Sequence, residues 1–296
     1  NMVQRKNTST LKKFLGELRS CIICNGNNFE HFAKLDSFEA KKCKDCGMIS
    51  TNPHLTEDGL LEYYENYLTD RLSNIDPQEK ILLEQRNLTY LIDRNWILKF
   101  IDNGKVLDVG CSGGQFLNTF DPKKWERLGV EVSNEDSDFA KNTYDIDVKV
   151  GFLPNMHFDE KFDLVMLRGV IEHISQPVEF LQKCYELLKP GGYLFITAAP
   201  AGDSFAFDVY REKWILFNPV EHLHFFTVDL LDKKLQDFGL KLIDYSYQYA
   251  ETPYANPIQD FKKIREDIVL IQSGHSDQIK KSVPFPGSML TAVWQK

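Results

Sequence analysis

A short β-rich run that leads into a glycine turn constrains the fold more than any other part of the sequence. The run occupies residues 106–110, and Cys111-Ser112-Gly113-Gly114 follows it. Buried strands are rich in such aliphatic residues, and glycines let the backbone approach a ligand closely. We predict a helix over 115–120, whose N-terminus would face that ligand. The pattern therefore predicts a nucleotide-binding type of α/β fold.

A carboxylate ends the second predicted strand, which spans residues 127–132. Glu131 lies 21 residues after Gly110. A carboxylate at this position can accept hydrogen bonds from both ribose hydroxyls of a nucleoside. These two features alone allow either a dinucleotide or S-adenosylmethionine. Asp108 lies inside the first strand, where dinucleotide folds usually have an apolar residue; it can orient an ammonium group, which favours S-adenosylmethionine.

Four stretches of the sequence together resemble the class I S-adenosylmethionine-dependent methyltransferases. They lie in the family's order and spacing over about residues 100–200 and read VLDVGCSGGQF, GVEVSNE, FDLVMLRGVIEHI and LLKPGGYLFITAAP. The resemblance implies a doubly wound α/β sheet of seven strands in the order 3-2-1-4-5-7-6, with the last strand antiparallel. A helix at 228–238 and strands at 240–247 and 288–295 would complete this fold.

The resemblance implies roles for the residues of the glycine turn. Gly110, Ser112 and Gly114 would bracket the methionine part of the cofactor, and Glu131 would bind its ribose. Ser112 stands where the family's GxGxG turn usually has its middle glycine, and we expect its backbone to stay in an ordinary region. Cys111 is expected to be a small loop residue and not a nucleophile.

The resemblance places the rest of the cofactor against two other strand ends. Phe152 and Leu153, after a predicted strand at 147–150, would flank adenine. Arg168 and Gly169, which end the fourth strand, would lie beside the reactive methyl group. The complete set of expected cofactor-binding residues is Asp108, Gly110, Cys111, Ser112, Gly114, Glu131, Val132, Phe152, Leu153, Arg168 and Gly169.

Four cysteines near the start of the chain form two CxxC pairs. The pairs are Cys21/Cys24 and Cys43/Cys46, with 18 residues between them. This spacing is typical of a zinc ribbon, in which each pair holds one edge of a tetrahedron. Two disulfides and a redox CxxC are the alternatives, which a reducing compartment and the presence of two pairs disfavour. Because sulfur would fill all four positions, the zinc is expected to be structural.

Charge is divided unevenly along the chain. Residues 1–50 carry nine Lys/Arg and five Asp/Glu, whereas the rest carries 26 and 38, and the formal net charge of the whole chain is −8. The net charge argues against nucleic-acid binding. The longest apolar runs are far shorter than the roughly 20 residues of a membrane span. The first 20 residues lack the apolar run of a secretory signal, so we predict a cytoplasmic protein.

These features divide the chain into three predicted segments. A zinc-ribbon-like domain is expected at 1–54, and a helical connector at 55–103 with an amphipathic helix at 81–101. The S-adenosylmethionine-binding domain follows at 104–296. Its aromatic-rich insertion at 201–219 is predicted either to form a lid or to pack against the zinc-binding head.

The expected catalytic residues come from a second resemblance. The zinc head and the Glu-His-x-x-Phe-Phe-Thr loop after strand five resemble the sugar methyltransferases of deoxysugar and surface-polysaccharide pathways. In the C-methylating members, two tyrosines three residues apart and the histidine of the Glu-His pair surround the keto sugar, and Tyr64, Tyr67 and His222 match these positions. Glu221 would hold His222 in one tautomer, and His173 is either a second candidate base or structural.

The resemblance therefore predicts methyl transfer to a small molecule, most directly a nucleotide-linked or glycan sugar. The attacking atom, oxygen or carbon, is left open, as is the oligomeric state. One alternative is methylation of RNA or protein, although residues 167–170 lack the Asn-Pro-Pro-Tyr type of motif used for amide and base nitrogens. Another alternative is a non-catalytic module that binds the cofactor and serves for docking.

Overall fold

The computed structural model of the chain describes residues 12–64 and 77–296. In chain order the elements are β1 (Leu15–Gly16), β2 (Phe29–Leu35), β3 (Phe38–Cys43), β4 (Ile49–Thr51), β5 (His54–Leu55), α1 (Glu57–Tyr64), α2 (Pro77–Ile97), β6 (Gly104–Val109), β7 (Trp125–Glu131), α3 (Asn134–Tyr144), β8 (Asp147–Val150), β9 (Phe162–Arg168), α4 (Pro177–Leu187), β10 (Leu188–Pro200), α5 (Phe205–Tyr210), β11 (His224–Phe225), α6 (Val228–Asp237), β12 (Lys241–Ser246), α7 (Pro257–Gln272) and β13 (Met289–Gln295).

Seven of these strands form one sheet within the described residues. Their order is β8-β7-β6-β9-β10-β13-β12, and β13 runs antiparallel to both of its neighbours. Numbered along the chain, this is the predicted order 3-2-1-4-5-7-6, so the expected fold class is confirmed. The parallel strands β6, β7 and β9 lie side by side, and their carboxyl ends meet at one edge. Such an edge is where α/β sheets bind ligands.

The central strands are buried on both faces, which explains their nearly continuous apolar sequence. Leu107 and Val109 of β6 face one hydrophobic cluster, and Val106 faces the other. Helix α4 covers the first face with buried residues spaced three and four apart, namely Phe180, Leu181, Cys184 and Leu187. Trp96 and Ile97, at the end of α2, pack on the opposite face. The sheet is therefore held between helices.

Two elements differ from the sequence-based expectation. The predicted helix at 115–120 is wrong, because the structure has a short 3₁₀ turn at Leu117–Thr119 and an extended backbone at Phe120. Pro122 follows closely, and a proline disfavours the helical conformation in the residue before it. The chain must also reach β7 within a few residues. The connector helix spans Pro77–Ile97, where 81–101 was predicted.

The head and the core share a second sheet. Its order is β11-β4-β3-β2, so that a strand from the far end of the sequence completes the cysteine-bearing head. The pairs are His224 with Ser50 and Phe225 with Ile49. The residues that precede β11 are therefore held in position by the pairing of β11 with the head.

The 201–219 segment lies against the head and also reaches the central cavity. Phe207 and Trp214 stack with ring centroids 4.5 Å apart, and Phe207 meets Phe32 of β2 edge-on at 4.8 Å. Ile215 and Leu216 line the cavity described below. Most of the aromatic side chains of the 201–219 segment therefore pack against the head. Within the described part of the chain, none of the helices combines the length and the apolar character needed to cross a bilayer.

Candidate active site

A cavity of about 990 Å³ opens at the carboxyl edge of β6, β7 and β9. Ligand pockets of proteins usually measure about 300 to 1,000 Å³, so this one has room for a nucleoside cofactor and a second small molecule. Every residue of the expected cofactor-binding set except Gly114 lines the cavity. Tyr64, His173, Glu221 and His222 line it as well. The structure thus brings together the two groups of described site residues that the sequence predicted.

The two glycines of the turn are required by its geometry. Gly110 has φ +71°, and a Cβ atom there would lie 2.7 Å from Cγ2 of Val170. Gly114 has φ +78°, and its Cβ would lie 3.0 Å from Cβ of Ala140. Both conformations belong to the left-handed region that other residues avoid. The turn therefore exposes bare backbone at the cavity wall.

Ser112 does not have the ordinary backbone conformation that was expected. Its φ is +48°, in the left-handed region, which costs a non-glycine residue roughly 1–2 kcal/mol. Two hydrogen bonds offset this cost. The Ser112 N–H donates to Oε2 of Glu131, and the Ser112 hydroxyl donates to Oδ2 of Asp136, both at 2.8 Å. The serine thus replaces the family's glycine by tying the turn to its neighbours.

Glu131 ends β7 and is held by the backbone around it. Its Oε1 accepts hydrogen bonds from the N–H groups of Val132 at 2.7 Å and Ser133 at 3.1 Å. Burial raises the pKa of the carboxyl group, although these N–H donors and that of Ser112 oppose the rise. The side chain is only 9% exposed, and its remaining acceptor capacity faces the cavity. A fixed acceptor at a strand tip is the arrangement that ribose binding needs.

Asp108 and Arg168 bring a buried carboxyl group and a guanidinium to the edge where the cavity opens. Burial raises the pKa of Asp108 to about 8, and the positive charge of Arg168 opposes this rise. The Arg168 Nε donates to Oδ2 of Asp93 at 2.8 Å, and its guanidinium lies 4.5 Å from the ring centroid of Tyr90. Arg168 is therefore anchored to α2, and its expected place beside the methyl group stays a prediction.

Asp93 was missed by the sequence analysis. It is buried, and its Oδ1 accepts a hydrogen bond from the hydroxyl of Thr197 at 3.2 Å. A usable signal was present, because Asp93 interrupts the apolar face of the predicted helix beside Ile92 and Trp96. Buried carboxylates in such positions are nearly always paired.

The remaining members of the cofactor set are apolar walls. Leu153 is buried, and Phe152 packs on Phe180 with ring centroids 5.9 Å apart. The Cys111 side chain points towards β7, since a Cβ atom on Gly129 would lie 2.5 Å from its Sγ. Burial holds the pKa of the Cys111 thiol well above its usual value, which rules against a nucleophilic thiolate.

Two histidines form the opposite wall, and their tautomers follow from their partners. Nδ1 of His173 lies 2.8 Å from the carbonyl oxygen of Glu221, and Nδ1 of His222 lies 2.8 Å from that of Leu216. Carbonyl oxygens only accept, so each Nδ1 carries the hydrogen and each Nε2 keeps a lone pair. Burial lowers the pKa of both rings, that of His173 to about 4. Both rings are therefore neutral near pH 7.

The Glu221 side chain was expected to orient the His222 ring, but the carbonyl of Leu216 orients it instead. The Glu221 carboxylate accepts a hydrogen bond from the hydroxyl of Tyr63, a residue that the sequence analysis overlooked beside Tyr64. The Tyr64 hydroxyl lies 3.1 Å from Nδ1 of His173. Tyr67, the other expected tyrosine, lies outside the described residues.

The head holds the loop that carries Glu221 and His222. The Thr51 N–H donates to the carbonyl of Leu223 at 2.8 Å, and the Thr51 hydroxyl donates to that of His222 at 2.9 Å. The pairing of β4 with β11 continues this contact. The position of His222 thus depends on a strand of the cysteine-bearing head.

The four head cysteines meet at one point. The Sγ atoms of Cys21 and Cys46 are 3.5 Å apart, those of Cys24 and Cys43 are 3.6 Å apart, and all four lie within 4.8 Å of one another. Four sulfurs around zinc, each at about 2.3 Å, are separated by about 3.8 Å. Burial raises the pKa of the Cys21 thiol, so a cluster of thiolates here needs a bound cation. The donor set therefore fits a tetrahedral zinc site.

Relatives of known class share the core. Residues 78–245 match a family described as a methyltransferase domain. A relative from Shewanella pealeana named ubiquinone biosynthesis O-methyltransferase is 30% identical over 149 residues, which cover 42% of this chain and 63% of the relative. The matches span about three-fifths of the length of such curated relatives.

Solved structures agree in fold. Magnesium protoporphyrin IX methyltransferase from Synechocystis PCC 6803, with bound SAH, superposes with a TM-score of 0.57 at 12% identity, over 81% of this chain and 100% of that one. A possible histamine N-methyltransferase from Thermotoga maritima gives 0.52 at 19% identity, over 80% and 99%. Because the family match covers more than half of the 296 residues, the chain belongs to the methyltransferase-domain family and has the class I S-adenosylmethionine-dependent fold.

Proposed function

We propose that the protein transfers a methyl group from S-adenosylmethionine to a small hydroxylated molecule, with a sugar as the first candidate. One observation carries the proposal: the glycine turn and Glu131 open into the same cavity as the neutral pair His173 and His222. A cofactor cradle and groups able to handle a proton thus border one space. A docking module without turnover would have no need for the second wall.

The cradle fits S-adenosylmethionine by shape and charge. Gly110 brings bare backbone to the cavity wall, Glu131 offers oxygens for the ribose, and the buried Asp108 offers a carboxyl group that the positive charge of the ammonium group would hold in its ionised form. Phe152 and Leu153 supply apolar surface for adenine. The cofactor would supply an electrophilic methyl group on a sulfonium centre. The role of the chain is to bind and orient it and to exclude competing water.

The histidine wall would handle the proton of the acceptor. Methyl transfer needs a nucleophile held about 3 Å from the methyl carbon and the loss of one proton. Both histidines are neutral, and each presents an Nε2 lone pair. Tyr64 adds a hydroxyl next to His173. We therefore assign the expected proton-accepting role of the two histidines to one atom, the Nε2 of each ring.

Most of the cavity surface is apolar, and the support for a sugar comes from a group of polar side chains on its wall. Apart from the residues already discussed, the wall includes polar side chains suited to several hydroxyl groups, namely Gln85, Asn87, Gln248, Thr252 and Tyr254. The second candidate is a phenolic hydroxyl. It is favoured by the curated relatives, which are named ubiquinone biosynthesis O-methyltransferase.

We further propose that the four cysteines of the head bind one structural zinc. The distances between their sulfurs support this, and all four positions would be filled by protein. The metal would fix the β2–β3 hairpin, whose sheet also carries the His222 loop.

A labelling experiment tests the function. The full chain is incubated with methyl-labelled S-adenosylmethionine and, in parallel, nucleotide-linked deoxysugars and phenolic quinol precursors, and products are located by mass spectrometry. Label in a sugar supports the first candidate, and label in a phenol the second. Gly110→Val, which inserts side-chain atoms where even a Cβ would approach Val170, is the cofactor-deficient control. Failure of the wild type to bind S-adenosylhomocysteine in calorimetry would refute the proposal.

A further inference from the structure

A buried carboxylate, Glu172, meets the two half-buried histidines of the histidine wall, His173 and His222. Glu172 precedes His173 in the 3₁₀ turn Ile171–His173, and His222 reaches them from the loop before β11. One donor atom from each lies within 4.8 Å of the others. Oε1 of Glu172 and Nε2 of His173 are 3.6 Å apart, which is too long for a hydrogen bond. A carboxylate oxygen and one ring nitrogen from each histidine are thus grouped in one small volume.

The electrostatics of this group are unbalanced as it stands. Glu172 is only 2% exposed, and among residues 12–64 and 77–296 its Oε2 has no hydrogen-bond partner. The Nδ1 hydrogens of His173 and His222 are directed to backbone carbonyls. The lone pair on Nε2 of each ring is therefore not used in these hydrogen bonds. Burying several acceptors together with no donor is unfavourable.

An ion pair between Glu172 and His173 does not resolve the imbalance. Oε1 of Glu172 and Nε2 of His173 are not within hydrogen-bond distance of each other, and the hydrogen of each imidazole is directed from Nδ1 to a backbone carbonyl. A proton on Glu172 would satisfy one oxygen and leave both imidazole lone pairs unused. A positive charge at the centre of the group would satisfy all three.

We propose that Glu172, His173 and His222 bind a divalent transition-metal cation. Two imidazoles and one carboxylate form a known ligand set for such ions, and imidazole selects them over Mg²⁺. With metal–ligand distances of about 2.1 Å, donor atoms in a tetrahedron are about 3.4 Å apart, close to the 3.6 Å observed. Ligating histidines usually donate their other N–H to a carbonyl or carboxylate, as both histidines do here.

The cation would act on the acceptor of the proposed function. His173 and His222 line the cavity, whereas Glu172 lies behind them, so the free coordination positions face the cavity. A hydroxyl bound there has a lowered pKa. Because the cation occupies the ring nitrogens that would otherwise accept the proton, the proton of the bound hydroxyl passes to water; the oxygen then forms the new bond to the methyl carbon while the carbon–sulfur bond breaks and S-adenosylhomocysteine leaves. This role rests on the proposed function, but cation binding does not.

Manganese is the probe, because Mn²⁺ is a paramagnetic transition-metal ion with little affinity for thiolates and therefore leaves a tetrathiolate site to zinc. Zinc-loaded protein is titrated with Mn²⁺, and the free ion is followed by electron paramagnetic resonance. We expect about one bound equivalent per chain. Glu172→Gln and His222→Gln should each weaken binding by about tenfold or more, which is the scale seen even for outer-shell changes. Glu179→Gln, which removes an exposed carboxylate from α4, should stay within about threefold.

Each variant is also titrated with S-adenosylhomocysteine, which reports whether the core is folded. A wild type that takes up no Mn²⁺, or a folded Glu172→Gln that binds it as the wild type does, would overturn the metal site. Methyl transfer that continues in metal-free, cofactor-binding protein would overturn the cation's role and leave the proposed function intact. Loss of S-adenosylhomocysteine binding in the wild type, with Mn²⁺ still bound, would refute only the proposed function.

Discussion

Replacement of Glu131 by alanine tests the cofactor site most directly. A carboxylate has about four acceptor positions. Three are used by the N–H groups of Ser112, Val132 and Ser133, which leaves roughly one for a ribose hydroxyl, with a second hydroxyl sharing Oε1 or Oε2. A hydrogen bond to a charged group contributes about 1.5–3 kcal/mol. Water enters the space left by the side chain and recovers part of this.

The expected loss of S-adenosylhomocysteine affinity in Glu131→Ala is therefore about 1–3 kcal/mol, or roughly 5- to 150-fold in Kd. Isothermal titration calorimetry of the full chain measures it. Glu131→Gln should lose a similar amount, because an amide NH₂ placed at Oε2 would oppose the Ser112 N–H. Glu135→Ala, an exposed acid in the first turn of α3, controls for the change in charge.

The result that refutes the reasoning is a Kd for Glu131→Ala within about twofold of the wild type while Glu135→Ala is also unchanged. Ribose would then be bound elsewhere. Thermal unfolding must accompany the titration, because the Ser112 N–H loses its acceptor in the variant. A folded variant with normal affinity leaves no role for the carboxylate.

Four further outcomes are expected. His222→Ala should retain S-adenosylhomocysteine affinity and lower turnover by about 10² or more, and full activity would make the ring structural. Cys46→Ser should lower zinc content and reduce turnover more than cofactor affinity, since the head holds the loop through Thr51; equal losses would contradict that coupling. Ser112→Gly should be about 1 kcal/mol more stable than Ser112→Ala in denaturant unfolding, because both lose the hydroxyl and only alanine keeps the strained φ; equal stability would argue against strain. The contribution of Asp108 to the free energy of unfolding should fall as pH rises from about 4 to 8, because folded Asp108, with a pKa of about 8, keeps a proton that the unfolded chain releases near its usual 3.8; thermal melts of Asp108→Asn should therefore fall less, or rise more, with pH than those of the wild type over this range, and parallel profiles would refute the assigned cause.

The sheet could be predicted because its signals are local. Buried parallel strands read as nearly continuous apolar runs, as β9 does. The strand at 147–150, which is largely exposed at the edge of the sheet, was also placed with its exact bounds. The resemblance then supplied the strand order. The helix at 115–120 failed for a reason that is also local, since Pro122 shortens the segment. Turn chemistry outweighed the expected strand-turn-helix pattern.

The finer geometry of the site depends on contacts between distant residues, and no local pattern reports these. The tautomer of His222 is set by the carbonyl of Leu216, which any residue at that position could supply. The backbone of Ser112 is held in place by Glu131 and Asp136, about 20 residues away. Asp93 could have been flagged as a buried acid, but its partner Arg168 could not have been identified from spacing.

The strand β11 has a practical consequence for anyone who exchanges parts between relatives. Although it lies far beyond the cysteines in the sequence, it pairs with β4 at Ser50 and Ile49. A graft that ends at residue 54 would separate these two edges and strip His222 of its carbonyl tether. A functional chimera must therefore take residues 221–225 and the cysteine-bearing head from the same parent protein.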